Sequence, residues 1–229
     1  MNSISYQRYP ATGEEMSMAD CSTEVAYTIP YVFSPFDQTN KHTVKCHCCI
    51  APIIVGLSEM NGREKSAIGH VSPGIVLCEQ PRRNFRSDYE RLLQTVREQT
   101  LPGTREVHVV GGIYGAELGG RDFTREYVDM IKLLGALTGD ILETQLRVES
   151  GPKIEGFTHV AFQTQERLAH IFEPKPTEYA WKPFGYEDIQ AIEAQRFPPS
   201  ALWVLCQWML KKWRRQHGVS APSLSEKTK

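Results

Sequence analysis

The strongest constraint on the fold of this chain is a pair of strand-like runs joined through an Asn-Gly turn. Ile50-Ala51-Pro52-Ile53-Ile54-Val55 is a nearly unbroken apolar run, with the length and β-branched content of a buried strand. The polar segment Glu59-Met60-Asn61-Gly62-Arg63-Glu64-Lys65-Ser66 follows, and then a shorter run, Ile68-Gly69-His70-Val71. Asn-Gly between two such runs favours the positive-φ turn of a hairpin, so strands near 50–58 and 67–72 are expected to pair antiparallel. Pro52 removes one ladder donor, which predicts a sheet edge or a bulge at that point. The hairpin brings whatever precedes residue 50 beside whatever ends the second strand.

What precedes it is His42-Thr43-Val44-Lys45-Cys46-His47-Cys48-Cys49, with three cysteines and two histidines in eight residues. A thiol at the start of a buried strand is held on a rigid element, near backbone N–H groups not yet committed to a ladder. That position suits covalent catalysis with oxyanion stabilisation. Cys49 and His70 are therefore the candidate nucleophile and base. Cys48 is the local competitor, and strand alternation turns 48 and 49 to opposite sides, so that one alone faces His70. Two other readings stand beside catalysis. Cys49 can be a buried structural thiol, or Cys46, Cys48 and Cys49 can build a zinc-binding interaction domain with His42 and His47. Zinc sites usually join two ligand pairs, and the second pair is missing here, since Cys78 and Cys206 are isolated.

The chain has 229 residues with a net charge of -1, so no overall field favours nucleic acid. It carries no apolar run long enough to span a membrane and no secretory signal at its start, which predicts a cytoplasmic protein with reduced thiols. Ser87 and Glu90 form a capping-box pattern before Tyr89, Leu92, Leu93 and Val96 at helical spacing, and Leu101-Pro102-Gly103 ends that helix. Glu106–Val110 reads as a buried strand closed by Gly111-Gly112. A second helix follows, capped by Asp122, with Phe123, Tyr127, Ile131 and Leu134 on one face. Strand-like runs over Thr144–Glu149, Gly156–Gln163 and Arg167–Phe172 suggest a meander.

This order predicts an α/β domain over 41–175: a layered mixed-sheet sandwich with two main helices. Residues 1–40 read as an N-terminal extension that later packs on the core, and 176–229 as a C-terminal extension ending in a polar tail. Within the latter, 201–215 read as an amphipathic helix carrying Trp203, Trp208 and Trp213 and a basic C-terminal end. It can dock on the core or offer a face to a partner or a membrane surface.

With these elements placed, the chain resembles the CheD family of chemoreceptor glutamine deamidases, whose catalytic fold is shared with the cytotoxic necrotizing factor toxins. Thr43 precedes Cys49 by six residues, as the family threonine precedes its cysteine. Cys49-Ile50-Ala51-Pro52-Ile53-Ile54 is similar to the family's Cys-Val-Ala-Val strand, Ile68-Gly69-His70-Val71 to its Met-Ala-His-Ile, and Val109-Val110-Gly111-Gly112 to its Phe-Gly-Gly strand end. Cys48 stands where the family has serine, and Lys45 and His47 replace glycines. The resemblance covers 41–172. It implies deamidation of glutamine side chains on a protein substrate, through a thioester on Cys49 with His70 as base and Thr43 orienting the imidazole, and it calls for no cofactor or metal. With an amine in place of water, the same groups would perform transglutamination. A catalytically weak or silent protein-binding module on the same fold is the alternative.

Overall fold

A computed structural model describes residues 3–10, 23–25, 30–46, 48–112, 117–118, 121–148 and 158–173. The fold is mixed α/β, with two five-stranded mixed sheets and helices on the outer face of one of them. The expected hairpin forms its spine. β5 (Ile50–Leu57) and β6 (Glu64–Val71) pair antiparallel from Ile50↔Val71 to Leu57↔Glu64. Gly62 takes φ 63° in the connecting turn, the left-handed conformation that an Asn-Gly pair supplies without steric cost.

β5 is not an edge strand. It lies between β6 and β7 (Glu106–Gly111), which pairs with it antiparallel. Pro52 is in register with Val109 of β7, and the register toward β6 is the same before and after the proline, so the strand is not bulged there either. Gly69, across from Pro52, explains the tolerance. A Cβ on Gly69 would meet the Phe33 ring at 2.6 Å and Pro52 Cδ at 3.3 Å, so the absent side chain makes room for both rings. β3 (Tyr31–Phe33) and β10 (Leu146–Val148) close the edges, giving the order β10-β7-β5-β6-β3.

The second sheet has the order β1-β12-β11-β4-β2, from β1 (Ser5–Pro10), β2 (Thr23–Val25), β4 (Lys41–Cys46), β11 (Thr158–Gln163) and β12 (Leu168–Glu173). β1, β2 and β3 all come from the segment read as an N-terminal extension. β1 runs parallel to β12, β2 parallel to β4, and β3 antiparallel to β6. The described parts of residues 1–40 are thus built into both sheets. The expected meander splits between the sheets. β11 and β12 form an antiparallel pair, whereas β10 lies parallel to β7 in the other sheet. A parallel partner needs a crossover, and the helix between β7 and β10 supplies it.

The described residues hold three helices: α1 (Pro73–Val76), α2 (Glu79–Gln99) and α3 (Phe123–Leu142). α2 begins at Glu79, eight residues before Ser87, with Cys78 at its N-cap, so Ser87 and Glu90 lie inside the helix and cap nothing. Pro81 fits because the first turn has N–H groups without helical partners. The helix buries Phe85, Tyr89, Leu93 and Val96, at i, i+4, i+8 and i+11. α3 buries Tyr127, Met130, Ile131, Leu134, Leu137 and Leu142. Each such side chain contributes about 1.5–3 kcal/mol relative to exposure. A two-stranded ribbon, β8 (Glu117–Leu118) with β9 (Arg121–Asp122), leads directly into α3.

Two cores result. Ile50, Ile54, Val71, Val107 and Val109 face the helices. Ala51, Ile53, Val55, Ile68 and Val110 face the other sheet, where Val160, Phe162, Ala169 and Ile171 meet them. Strand alternation fixes both sets, and it sends His70, two residues on from Ile68, into the layer between the sheets. The segment 201–215, with Cys206, lies outside the described residues, as do His47, Cys21 and the 113–116 part of the glycine-rich turn.

Candidate functional site

Thr43, Cys46, Cys49 and His70 come together between the two sheets. Their relative solvent exposure is 0%, 1%, 3% and 0%, respectively. Thr43 and Cys46 sit on β4, His70 on β6, and Cys49 immediately before β5. The placement of Cys46 depends on an irregularity. β4 pairs with β11 as Val160↔Thr43 and Thr158↔Cys46, so the register slips between them. Regular alternation from Thr43 would turn residue 45 inward. The bulge instead puts Thr43 and Cys46 on the same buried side.

The Thr43 hydroxyl joins the sheets. Its Oγ1 is 2.9 Å from the Val25 carbonyl oxygen and 2.8 Å from His70 Nδ1. A threonine hydroxyl has one proton, and a carbonyl can only accept. Donation to Val25 therefore leaves the threonine oxygen to accept from Nδ1–H of His70, which makes Nε2 the basic nitrogen of the neutral ring. Burial pushes the imidazole down to about 4, so the ring is neutral at physiological pH.

The thiols divide unevenly. Cys46 Sγ is 3.8 Å from His70 Nδ1. Cys49 is hydrogen-bonded to the half-buried Cys48 and to Ser72. The hydrogen bond to Cys48, burial, and the neighbouring Cys48 and Cys46 raise its pKa, against a smaller lowering by Ser72. The thiol at residue 49 therefore rests protonated, in the same buried layer as a neutral imidazole. Extending the β5–β6 register by one residue sets Cys49 across from Ser72, and Ala51 across from His70. Cys49 and His70 are thus diagonal, rather than directly opposite, in the extended register.

The residues named from sequence share one layer: Thr43 bonds His70 directly, Cys49 belongs to the same buried cluster, and Cys48 packs against it. The alternation argument for residues 48 and 49 does not hold. β5 starts at Ile50, so both residues precede the strand, and their thiols meet. Sequence reasoning missed two neighbours. The sequence offers Cys46 only as a metal ligand, and the bulge that turns it toward His70 has no local signature. Ser72 was legible in principle, because the hairpin register that places His70 also places Ser72 opposite Cys49.

At the end of β7, Gly111 and Gly112 take φ of 88° and 106°. A Cβ on Gly111 would lie 3.2 Å from the Cys49 carbonyl oxygen and 3.7 Å from Cys46 Cβ, so this glycine forms the floor beneath both cysteines. Among the described residues, no three His, Cys, Asp or Glu side chains converge as a metal ion would require. No described helix is long and apolar enough to cross a membrane. Compared with known proteins, the chain matches no family model and no curated protein.

Proposed function

We propose that this is a cysteine-dependent amidohydrolase that deamidates glutamine side chains on a protein substrate, a chemoreceptor or another signalling or host protein, on a CheD-like fold. The observation that carries the reading is the buried Thr43–His70 hydrogen bond, 2.8 Å long, with thiols around it. A hydroxyl that fixes the tautomer of a neutral histidine does for that ring what a carboxylate does in other triads. Cys49 is the nucleophile in this reading, because its spacing from Thr43 agrees with the resemblance and its side chain shares the buried layer with His70.

The reaction follows from the resting charges. With both groups neutral, attack on the carboxamide carbon is coupled to transfer of the Cys49 proton to His70. Backbone N–H groups near residues 48–50 receive the oxyanion. The imidazolium then protonates departing ammonia and leaves a thioester on Cys49. His70 next takes a proton from water, the hydroxide cleaves the thioester, and the proton returns to the thiolate. The products are glutamate and ammonia.

The test is ammonia release from a glutamine-bearing chemoreceptor fragment and a glutamine peptide panel, with hydroxylamine added to capture the thioester as a hydroxamate. Cys49→Ala should lower the rate by about 10³-fold or more while leaving the circular dichroism spectrum unchanged. Retained activity in that variant, or loss confined to Cys46→Ser, would remove Cys49 from the role. The near-complete burial of Cys49 and His70 favours one second reading, a silent binding module whose thiols are structural. That reading requires no hydroxamate with any substrate and full partner binding by Cys49→Ala.

A further inference from the structure

Cys46 and Cys49 enclose two residues, the Cys-x-x-Cys spacing at which thiols readily exchange with disulfides. They enter the same buried cluster from opposite sheets and both border Gly111, where an added Cβ would lie 3.2 Å from the Cys49 carbonyl oxygen and 3.7 Å from Cys46 Cβ. Cys48 differs from both: it is half-buried, and its thiol touches that of Cys49. All three are thiols rather than disulfides in this structure. One accessible thiol is therefore in contact with a buried one, and a third lies close by.

We propose that Cys46 and Cys49 form a peroxide-sensitive dithiol, in which oxidant enters at Cys48 and an intrachain Cys46–Cys49 disulfide is the end product. Susceptibility to peroxide follows exposure, which selects Cys48 for the first step. Its sulfur attacks hydrogen peroxide, the O–O bond breaks, and sulfenic acid and one water form. The adjacent Cys49 thiol displaces the hydroxyl as a second water, giving a Cys48–Cys49 bond. Neighbouring Cα atoms lie closer than the usual disulfide separation, so this bond is strained and easily exchanged. The Cys46 thiolate attacks Cys49 Sγ, the first disulfide breaks, and Cys48 leaves as the thiolate and is reprotonated. Overall, two thiols lose two electrons and two protons, and one peroxide becomes two waters. The bond locks β4 to the start of β5 and removes Cys49 from any covalent chemistry. This inference stands on the thiol arrangement and not on the deamidase reading.

The experiment uses the full chain, reduced, exposed to hydrogen peroxide, alkylated and digested with trypsin. Cleavage after Lys45 and Arg63 leaves Cys46, Cys48 and Cys49 in one peptide. Labels on that peptide should fall from three to one, with the remaining label on Cys48, and dithiothreitol should restore all three. Exposed Cys78 reports on non-specific oxidation. Cys48→Ser should slow loss of the other two thiols, and Cys46→Ser should abolish the buried cross-link. A surviving label on Cys46, or three labels after peroxide has oxidised Cys78, would overturn the proposal. The readout is independent of turnover, so an inactive protein that forms the disulfide sinks only the deamidase reading. An active protein that keeps three labels sinks only this one.

Discussion

Two buried histidines line the layer between the sheets, on the strands that flank β5, and their surroundings differ in kind. His70 on β6 is held by a hydroxyl and faces a thiol. His108 on β7 receives a hydrogen bond from the Tyr6 hydroxyl at Nδ1 and donates from Nε2 to Glu106 Oε2, at 3.0 Å. Arg167, buried on the β11–β12 turn, pairs with the other Glu106 oxygen at 2.8 Å and with Glu64 at 2.9 Å. Burial acts to raise Glu106, but hydrogen bonds from His108, Ser3 and the Ile4 backbone N–H outweigh it and hold the carboxyl at about 2. Both ring nitrogens of His108 are thus committed to a network that ties β1 to β7. His70 is anchored at Nδ1, through a neutral group. Burial alone therefore does not define a histidine's surroundings: His108 sits in a charged network, and His70 sits beside a hydroxyl and a thiol.

The largest effect should come from breaking the charged side of this comparison. Arg167→Met leaves the partly buried Glu64 and Glu106 without the buried guanidinium that pairs them and should cost about 3–5 kcal/mol in urea unfolding. A loss under 1 kcal/mol would mean that water or another cation replaces the guanidinium. The two histidines should then separate by readout. His70→Gln should lower deamidation by about 10²–10⁴-fold, with a small change in stability. His108→Gln should cost about 1–3 kcal/mol and leave the rate nearly intact. If both variants lose activity in parallel with stability, the distinction fails.

Acid should separate them too. The folded pKa of His70 lies below its ordinary 6.5, so between 6.5 and about 4 the unfolded chain binds the extra proton. Stability should fall as pH drops through that window, by up to about 3 kcal/mol, and then level off. His70→Gln should flatten this part of the curve. Glu106 acts lower: its folded pKa is depressed from 4.5 to about 2, so its contribution is present above 4.5 and is lost as pH falls toward 2. Denaturant midpoints against pH would show whether the two windows are distinct. The smallest effect expected is that of Thr43→Val. Loss of the orienting hydroxyl should slow turnover by about 10–100-fold, and Thr43→Ser should recover most of it.

Legibility in the sequence followed the range of the interaction responsible. The β5–β6 hairpin, the apolar face of α2 and the pairing of Thr43 with His70 rested on local periodicity, an Asn-Gly turn and a motif order. Each survives folding because a sheet turns period-two alternation, and a helix turns 3.6-residue spacing, into a shared face. The start of α2 was missed because Ser87 and Glu90 imitate a capping box inside the helix, whereas the helix begins at Glu79 and takes Pro81 in its first turn, where a missing N–H costs nothing. The central place of Pro52 was missed because its compensation lies at Gly69, in another strand. The strands among residues 1–40 were missed because each is an edge strand of three to six residues fixed by its partner: β1 by β12 more than a hundred residues away, β2 by β4 and β3 by β6 nearer in sequence, and none leaves a local trace.

That last pairing bears on how the chain is made. β1 aligns Ser5 with Leu168, so the first described strand waits for the last. The hairpin, α2, β7, α3 and β10 can assemble around the helix-facing core once residue 148 has emerged from the ribosome. β4, with Thr43 and Cys46, finds its antiparallel neighbour only when β11 is synthesised, and β1 only when β12 is. Sequence separations of this size slow folding, because chain closure must precede the contacts that reward it. During synthesis the nascent chain therefore carries His70 on a formed sheet while its hydroxyl partner is still unplaced. The thiol site is completed late, near the end of translation of the described region.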